Sequence, residues 1–300
     1  MNHNKRTILH LGAHKTGTTF IQNWIAQNDK LFRERNIGVS RNADLTESMF
    51  STFCFEHSKP RPKTVSPELA RKNIIEIRQI SGNPDVHIIS KENIMGEAGR
   101  LYLHSEETIR NLKNVFNYDE TKLVFYIRRM DNFIESHALQ QFAHGFELNI
   151  QDAIQSIGNR TWMDVIASME KHFPGRVSVE FYENIKTGPR DFLRYFCNAC
   201  DIPFDLAEFT KLPEIIDQNR SISAPGIELL KQLWKNSDPS QRAELFKKIA
   251  TTHNTATEIR PALMTPEQRH HVLDIHRESH KEIINKYAPG NDFIMKEYGL

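Results

Sequence analysis

The residues best placed to do chemistry begin in Leu9–Phe20, LHLGAHKTGTTF. Gly12 and Gly17 stand five positions apart, the glycine frame of a phosphate-binding loop. Thr18, not a lysine, follows the second glycine, and the loop's lysine, Lys15, sits in the middle of the turn. Such a turn works largely through its backbone. Glycine lets the main chain approach an anion closely. The amides and hydroxyls of Thr18 and Thr19, at the start of a helix, meet that anion where the helix dipole favours negative charge. Lys15 adds a point charge. The displaced lysine loses the usual arrangement for a β,γ-phosphate with magnesium, which argues against an ATP or GTP hydrolase. A second anion-binding pair follows the run KLVFYI: Arg128 at its end and Ser136 eight residues on, within a segment of helical period. An arginine fork pairs with two phosphate oxygens, and a serine hydroxyl adds a third hydrogen bond. A carboxylate, Glu92, follows VHIIS, and open α/β sheets place their ligands beyond the C-terminal ends of strands.

The pattern G-x-x-K-[ST]-G-T-[ST] after a first strand, present here as GAHKTGTT, resembles the 5′-phosphosulfate loop of sulfotransferases that use 3′-phosphoadenosine 5′-phosphosulfate (PAPS). The wording HLGAHKTGTT is especially like that of bacterial members. The resemblance implies a P-loop NTPase-like sulfotransferase fold, PAPS as co-substrate, and transfer of a sulfuryl group to a hydroxyl or amine of an acceptor such as a carbohydrate or small metabolite. No metal is required by that chemistry. Lys15 would stabilise charge on the bridging oxygen and the departing 5′-phosphate, with Gly12, Thr16, Gly17, Thr18 and Thr19 around the phosphate. Phe20 matches the aromatic that stacks on adenine in animal cytosolic members; its other reading is a core aromatic on the first helical turn. Arg128 and Ser136 match the family's ligands of the 3′-phosphate, and Arg129 takes the arginine's place if the strand register differs. Tyr182, in FYEN, matches a tyrosine near the nucleotide, or else is a buried tyrosine. Arg220, in NRS, falls where the family carries a late basic loop, although the animal Arg-Lys-Gly triplet is absent. The base that takes the acceptor's proton is a histidine in the animal cytosolic family and a glutamate in several carbohydrate sulfotransferases. Here Glu92 is the expected base and His14 its rival, with Ser90 or Lys91 helping to hold the sulfuryl oxygens. The alternative function is a P-loop kinase or other phosphotransferase, which would call for a lysine after Gly17 and a clear Walker B acid. A third is a nucleotide-binding module without catalysis, whose mark would be loss of Lys15 or of the base.

These residues need a scaffold that brings strand ends together. Thr7–Leu11, Val86–Ser90, Lys122–Ile127 and Val177–Phe181 read as strands, nearly continuous in apolar residues. Helical period marks the segment from Thr18 to Phe32, then Asp131–Gly145, Trp162–Phe173, Arg190–Cys200, Gly226–Lys235, Ser240–Thr251 and Pro266–Tyr287. Apolar strands separated by helices predict an α/β fold with a central parallel sheet flanked by helices, and the last three helices predict a helical C-terminal third. Residues 41–66 lack period and read as an irregular insertion on the substrate side. With no linker or repeat in view, residues 1–300 read as a single domain.

Composition narrows the classes further. The chain has 39 lysines and arginines against 38 acidic residues and a formal net charge of +1, which calls for neither nucleic acid nor an anionic membrane as partner. The N-terminus lacks the apolar run of a signal peptide and no stretch is long enough to span a bilayer, so a cytoplasmic protein is expected. Cys197 and Cys200 form a C-x-x-C on a helix with no second pair to complete a zinc site, and read as packed thiols. His276 and His280, four apart in the last long helix, read as part of an exposed polar face.

Overall fold

A computed structural model describes residues 5–45, 47–57, 64–116, 120–203 and 221–300. Five parallel strands build its sheet: β1 (Arg6–His10), β2 (Ile37–Ser40), β3 (Val86–Ser90), β4 (Glu120–Ile127) and β5 (Val177–Phe181), in the order β2-β3-β1-β4-β5. Helices link successive strands, as parallel pairing demands. In β4, every residue from Leu123 to Ile127 is fully buried, which is why the run reads as continuously apolar rather than alternating. β1 lies between β3 and β4, with His10 opposite Ser90 on one side and Val124 on the other.

The chain groups into two compact units. The first, residues 1–129, 160–213 and 277–300, holds the sheet. Part of its core is built by Ile8, Ile21, Trp24, Ile88 and Val124 packed against Phe192, Phe196 and Cys197 of the helix Pro189–Ala199. The second, residues 130–159 and 214–276, is helical among its described residues. It is centred on Phe142, Ile227, Leu230 and Trp234, and its fully buried Asp131 pairs with Arg269, which also reaches Glu135 at 2.7 Å. The helices of the C-terminal third are present as Ala224–Trp234, Arg242–Thr252, Pro266–Tyr287 and the shorter Asp292–Tyr298.

Several elements depart from the sequence reading. The segment 18–32 is two helices, Thr18–Gln27 and Asp29–Glu34, because the Asn28 side chain donates to the Trp24 carbonyl (2.8 Å) and ends the first. The insertion at 41–66 is in part regular: Met49–His57 is a helix that buries Phe50, Phe53, Cys54 and His57 at i, i+3, i+4 and i+7. His276 and His280 are each buried rather than exposed, and His280 meets Tyr298 edge-on at 4.8 Å. All three cysteines are free and buried. No described helix is long and apolar enough to cross a membrane.

Candidate active site

The strand order explains where the site forms. The chain leaves β1 towards the β2 side and leaves β4 towards β5, so a crevice opens beyond the C-terminal ends of β1 and β4. The turn after β1 runs into that crevice. Leu11 N–H donates to the Val124 carbonyl (2.9 Å) and Ala13 N–H to that of Tyr126 (3.1 Å), so the ladder with β4 continues past the strand. Arg128, one residue beyond β4, then donates from Nη1 to the Lys15 carbonyl at 3.2 Å. The two basic residues singled out from sequence, 113 positions apart, therefore share one corner of the sheet.

The turn's conformation explains its glycines. Lys15 has φ of +66° and Gly17 has φ of +83°, where Gly17 caps the helix Thr18–Gln27. A Cβ on Gly17 would lie 3.0 Å from the Phe192 ring, and one on Gly12 would collide with the Thr18 hydroxyl. Thr16 donates its hydroxyl to the Ala13 carbonyl, which fastens the turn and leaves its amide, not its hydroxyl, for a ligand. Thr18 is 1 % exposed; its hydroxyl meets no hydrogen-bond partner of good geometry among the described residues, yet it lies close enough to the Glu92 carboxyl to lower its pKa. A buried hydroxyl at a helix N-terminus, under a glycine turn, suits an incoming anion. Thr19 is exposed on the same first turn.

Glu92 opens the 3-10 turn Glu92–Met95 after β3, placed by Lys91 N–H donating to the His10 carbonyl at 3.2 Å. Burial pushes its pKa up, while Lys15 and the nearby Thr18 hydroxyl draw it down; the net shift is upward. Lys15 is exposed at the tip of the turn, yet its pKa falls through desolvation by the surrounding protein; Glu92 opposes that fall and Arg128 adds to it. Lys15 thus senses both Glu92 and Arg128. Lys91 is half-buried and its pKa is lowered, chiefly by burial. The Ser90 hydroxyl is fully buried and bonded to His10 Nδ1 (2.9 Å) and Gln22 (3.1 Å), so it does not face a ligand.

His14 is held at its amide and at both ring nitrogens. Its N–H donates to the Tyr102 hydroxyl at 2.9 Å, Nδ1 lies 3.0 Å from the same hydroxyl, and Nε2 lies 2.9 Å from Asn93 Oδ1. Asn93 Oδ1 only accepts, so Nε2 carries the proton; the neutral ring's Nδ1 then accepts from the Tyr102 hydroxyl, and the ring is the Nε2–H tautomer. Burial lowers its pKa, the Asn93 bond opposes the fall, and Lys15 adds to it. No lone pair is left to take a substrate's proton.

At the end of β4, Tyr182 lies under the Arg128 guanidinium at 4.7 Å and meets Phe192 edge-on at 6.3 Å. Arg129 points elsewhere: Nη1 donates to the Glu297 carbonyl (2.6 Å) and its amide to buried Glu183 (3.0 Å), so β4 ends with Arg128 facing the turn. Phe20 is 6 % exposed in the core cluster, tilted against Phe192 at 6.0 Å. Ser136 is half-buried on the helix Met130–Ala143 of the second unit; its pairing with Arg128 stays an expectation of the resemblance. Arg220 lies outside the described residues. Sequence reasoning missed Tyr102, Asn93 and Glu183. Tyr102 and Asn93 belong to no motif, and their importance comes from hydrogen bonds spanning about 80 residues or more.

No family model matches the chain, and no curated protein matches it. Among solved structures, a sulfotransferase from Alicyclobacillus acidocaldarius is similar at 14 % identity with a TM-score of 0.44, over 80 % of this chain and 95 % of that one. Mouse sulfotransferase SULT7A1, complexed with PAP, is similar at 15 % identity and a TM-score of 0.40, over 100 % and 91 %. The sulfotransferase domain from the curacin biosynthetic pathway is similar at 18 % identity and a TM-score of 0.36, over 86 % and 99 %. At TM-scores below 0.5, these likenesses say nothing of what this chain binds or turns over.

Proposed function

We propose that the chain is a sulfotransferase that moves a sulfuryl group from PAPS to a hydroxyl or amine of an acceptor. The observation that carries this reading is the corner at which Lys15, Arg128 and Glu92 meet: a mid-loop lysine, an arginine bonded to that lysine's carbonyl, and a carboxylate that senses the lysine. The turn suits a phosphate through its buried Thr18 hydroxyl, its glycines and the helix N-terminus. Arg128 supplies the fork that a 3′-phosphate calls for, and Tyr182 offers an aromatic face beside it.

Sulfuryl transfer, like phosphoryl transfer, is catalysed mainly by positioning and by charge stabilisation. Lys15 neutralises charge on the 5′-phosphate as the bond between sulfur and the bridging oxygen breaks. Glu92, raised in pKa towards working pH, takes the acceptor's proton as the new bond to sulfur forms. Glu92 serves as base rather than His14, whose ring nitrogens are both engaged. The phosphotransferase reading lacks its lysine after Gly17, where Thr18 stands with its hydroxyl turned inward.

Calorimetry with adenosine 3′,5′-bisphosphate against ADP and ATP tests the donor. The bisphosphate should bind best, and Arg128→Ala should weaken it on the order of 10- to 100-fold, the worth of a charge-assisted phosphate contact, with a smaller effect on ADP. Equal binding of all three nucleotides would reject PAPS as donor and favour the phosphotransferase.

A further inference from the structure

We propose that Tyr102 is a positioning residue for the transfer: its hydroxyl ties the phosphate turn, through His14, to the turn that carries the base. This rests on reading the corner as a sulfuryl-transfer site. The path is short and continuous. The Tyr102 hydroxyl holds both the amide and Nδ1 of His14 (2.9 and 3.0 Å), the residue before Lys15. His14 Nε2 then reaches Asn93 (2.9 Å), the residue after Glu92. Lys15 and Glu92 are thus joined, through their neighbours, by a ring held by Tyr102 at one end and Asn93 at the other.

The protein goes to unusual lengths to hold this tyrosine. Leu101 and Tyr102 have φ of +44° and +53°, two successive non-glycine residues in the left-handed region. Such conformations persist only where the surroundings over-determine them. Here they do. Arg160 donates from Nε to the Leu101 carbonyl (2.8 Å), and from Nη2 to the Tyr102 carbonyl (3.1 Å) and Ser105 hydroxyl (2.8 Å). The Tyr102 amide donates to the Glu97 carbonyl at 2.9 Å. The ring, 1 % exposed, packs on Trp162 (6.3 Å) and edge-on to Phe125 (6.5 Å). Trp162 in turn donates its indole N–H to the Arg128 carbonyl at 2.7 Å, so the same aromatic pair also abuts the residue after β4. A buried tyrosine needs some partner for its hydroxyl. Strained backbone spent on aiming that hydroxyl at the amide before Lys15 marks positioning.

The test is Tyr102→Phe, which keeps the ring and removes the hydroxyl. Ring nitrogen NMR of His14 should show a single Nε2–H tautomer in the wild type and a mixture in the variant. With water as acceptor, release of inorganic sulfate from PAPS should fall about 10²-fold in kcat, the cost of a misplaced reacting group, with KM for PAPS changed about threefold or less. A retained single tautomer in Tyr102→Phe, or kcat and KM unaltered, overturns the proposal. Should Tyr102→Phe not fold, Asn93→Ala, at an exposed position, decides it: with Tyr102 alone still donating to Nδ1, the single tautomer should persist, and a mixture would show that Asn93 sets it instead. The tautomer is read without nucleotide, so it judges Tyr102 even if adenosine 3′,5′-bisphosphate binds no better than ADP.

Discussion

Lys15 and Glu92 each shift the other's proton affinity, and that pairing sets how the site should respond to pH. Burial raises the pKa of Glu92, with Lys15 and Thr18 opposing but not cancelling the rise. A base works only deprotonated. Activity should therefore be full above the Glu92 pKa and fall about tenfold per pH unit below it, with the acid limb lying above the ordinary glutamate value of about 4.3. Glu92→Gln should lower kcat on the order of 10²- to 10⁴-fold and abolish that limb, while adenosine 3′,5′-bisphosphate still binds. Sulfate release from PAPS measured across pH checks this. An acid limb that survives in Glu92→Gln would assign the base elsewhere.

At the scale of elements, the site depends on how the segments beyond each strand are tied down. The 3-10 turn Tyr182–Thr187 after β5 places Tyr182 at Arg128 and buries Glu183 beneath Arg129. Glu183 accepts from the Arg129 amide (3.0 Å) and, at its other oxygen, from the Tyr298 hydroxyl (3.1 Å) of the last helix. Arg129 reaches the carbonyl of Glu297 in the same helix. The helix Asp292–Tyr298 therefore braces the end of β4 from behind, and Tyr298 meets Phe181 edge-on at 5.7 Å. Tyr298→Phe keeps the ring and removes one hydrogen bond to a buried carboxyl, so it should destabilise the fold by about 1–3 kcal/mol. A lowered urea midpoint with unchanged slope is the expected reading, and an unchanged midpoint would show that this hydrogen bond adds nothing to stability.

For the whole molecule, two histidines inside the sheet make stability depend on pH. His10 on β1 and His87 on β3 are fully buried, and each is held down to about 3, His10 by burial and His87 by burial with Arg78 adding to it. Their folded pKa values are depressed below the unfolded value of about 6.5, so the unfolded chain binds more protons throughout that interval. Their contribution is whole above about pH 6.5 and declines as pH falls towards 3. At about pH 5, each should favour unfolding by roughly 2 kcal/mol relative to neutral pH. Glu180 on β5, raised to about 8, runs the other way, so the rings are read by difference. In urea titrations at the two pH values, His87→Asn should make pH 5 less unfavourable relative to neutral pH by roughly 2 kcal/mol. An identical pH dependence in wild type and variant would show that the His87 ring is protonated in the fold.

Much of the architecture could be read directly from residue order. Val86–Ser90 and Val177–Phe181 are strands with the bounds their apolar runs imply, and Pro266–Tyr287 is a helix from end to end. These are long or strongly patterned segments whose period reflects burial on a fixed face. The edge strand β2 (IGVS) and the helix Met49–His57 escaped that reading. One is too short to show a period, and the other is rich in phenylalanine, a poor helix former held in place by packing. At the site, the glycine frame and Lys15 were legible because a turn that cradles an anion needs residue types at set spacing. Arg128 was legible as a residue type after a strand, but its bond to the Lys15 carbonyl comes from β1 lying beside β4 with the turn continuing that ladder. The burial of Phe20 and Ser90, the engagement of both His14 nitrogens and the strained backbone at Tyr102 were decided by tertiary structure alone. Each depends on partners distant in sequence, and one chain's residue order specifies local conformation far more directly than it specifies which remote groups will meet.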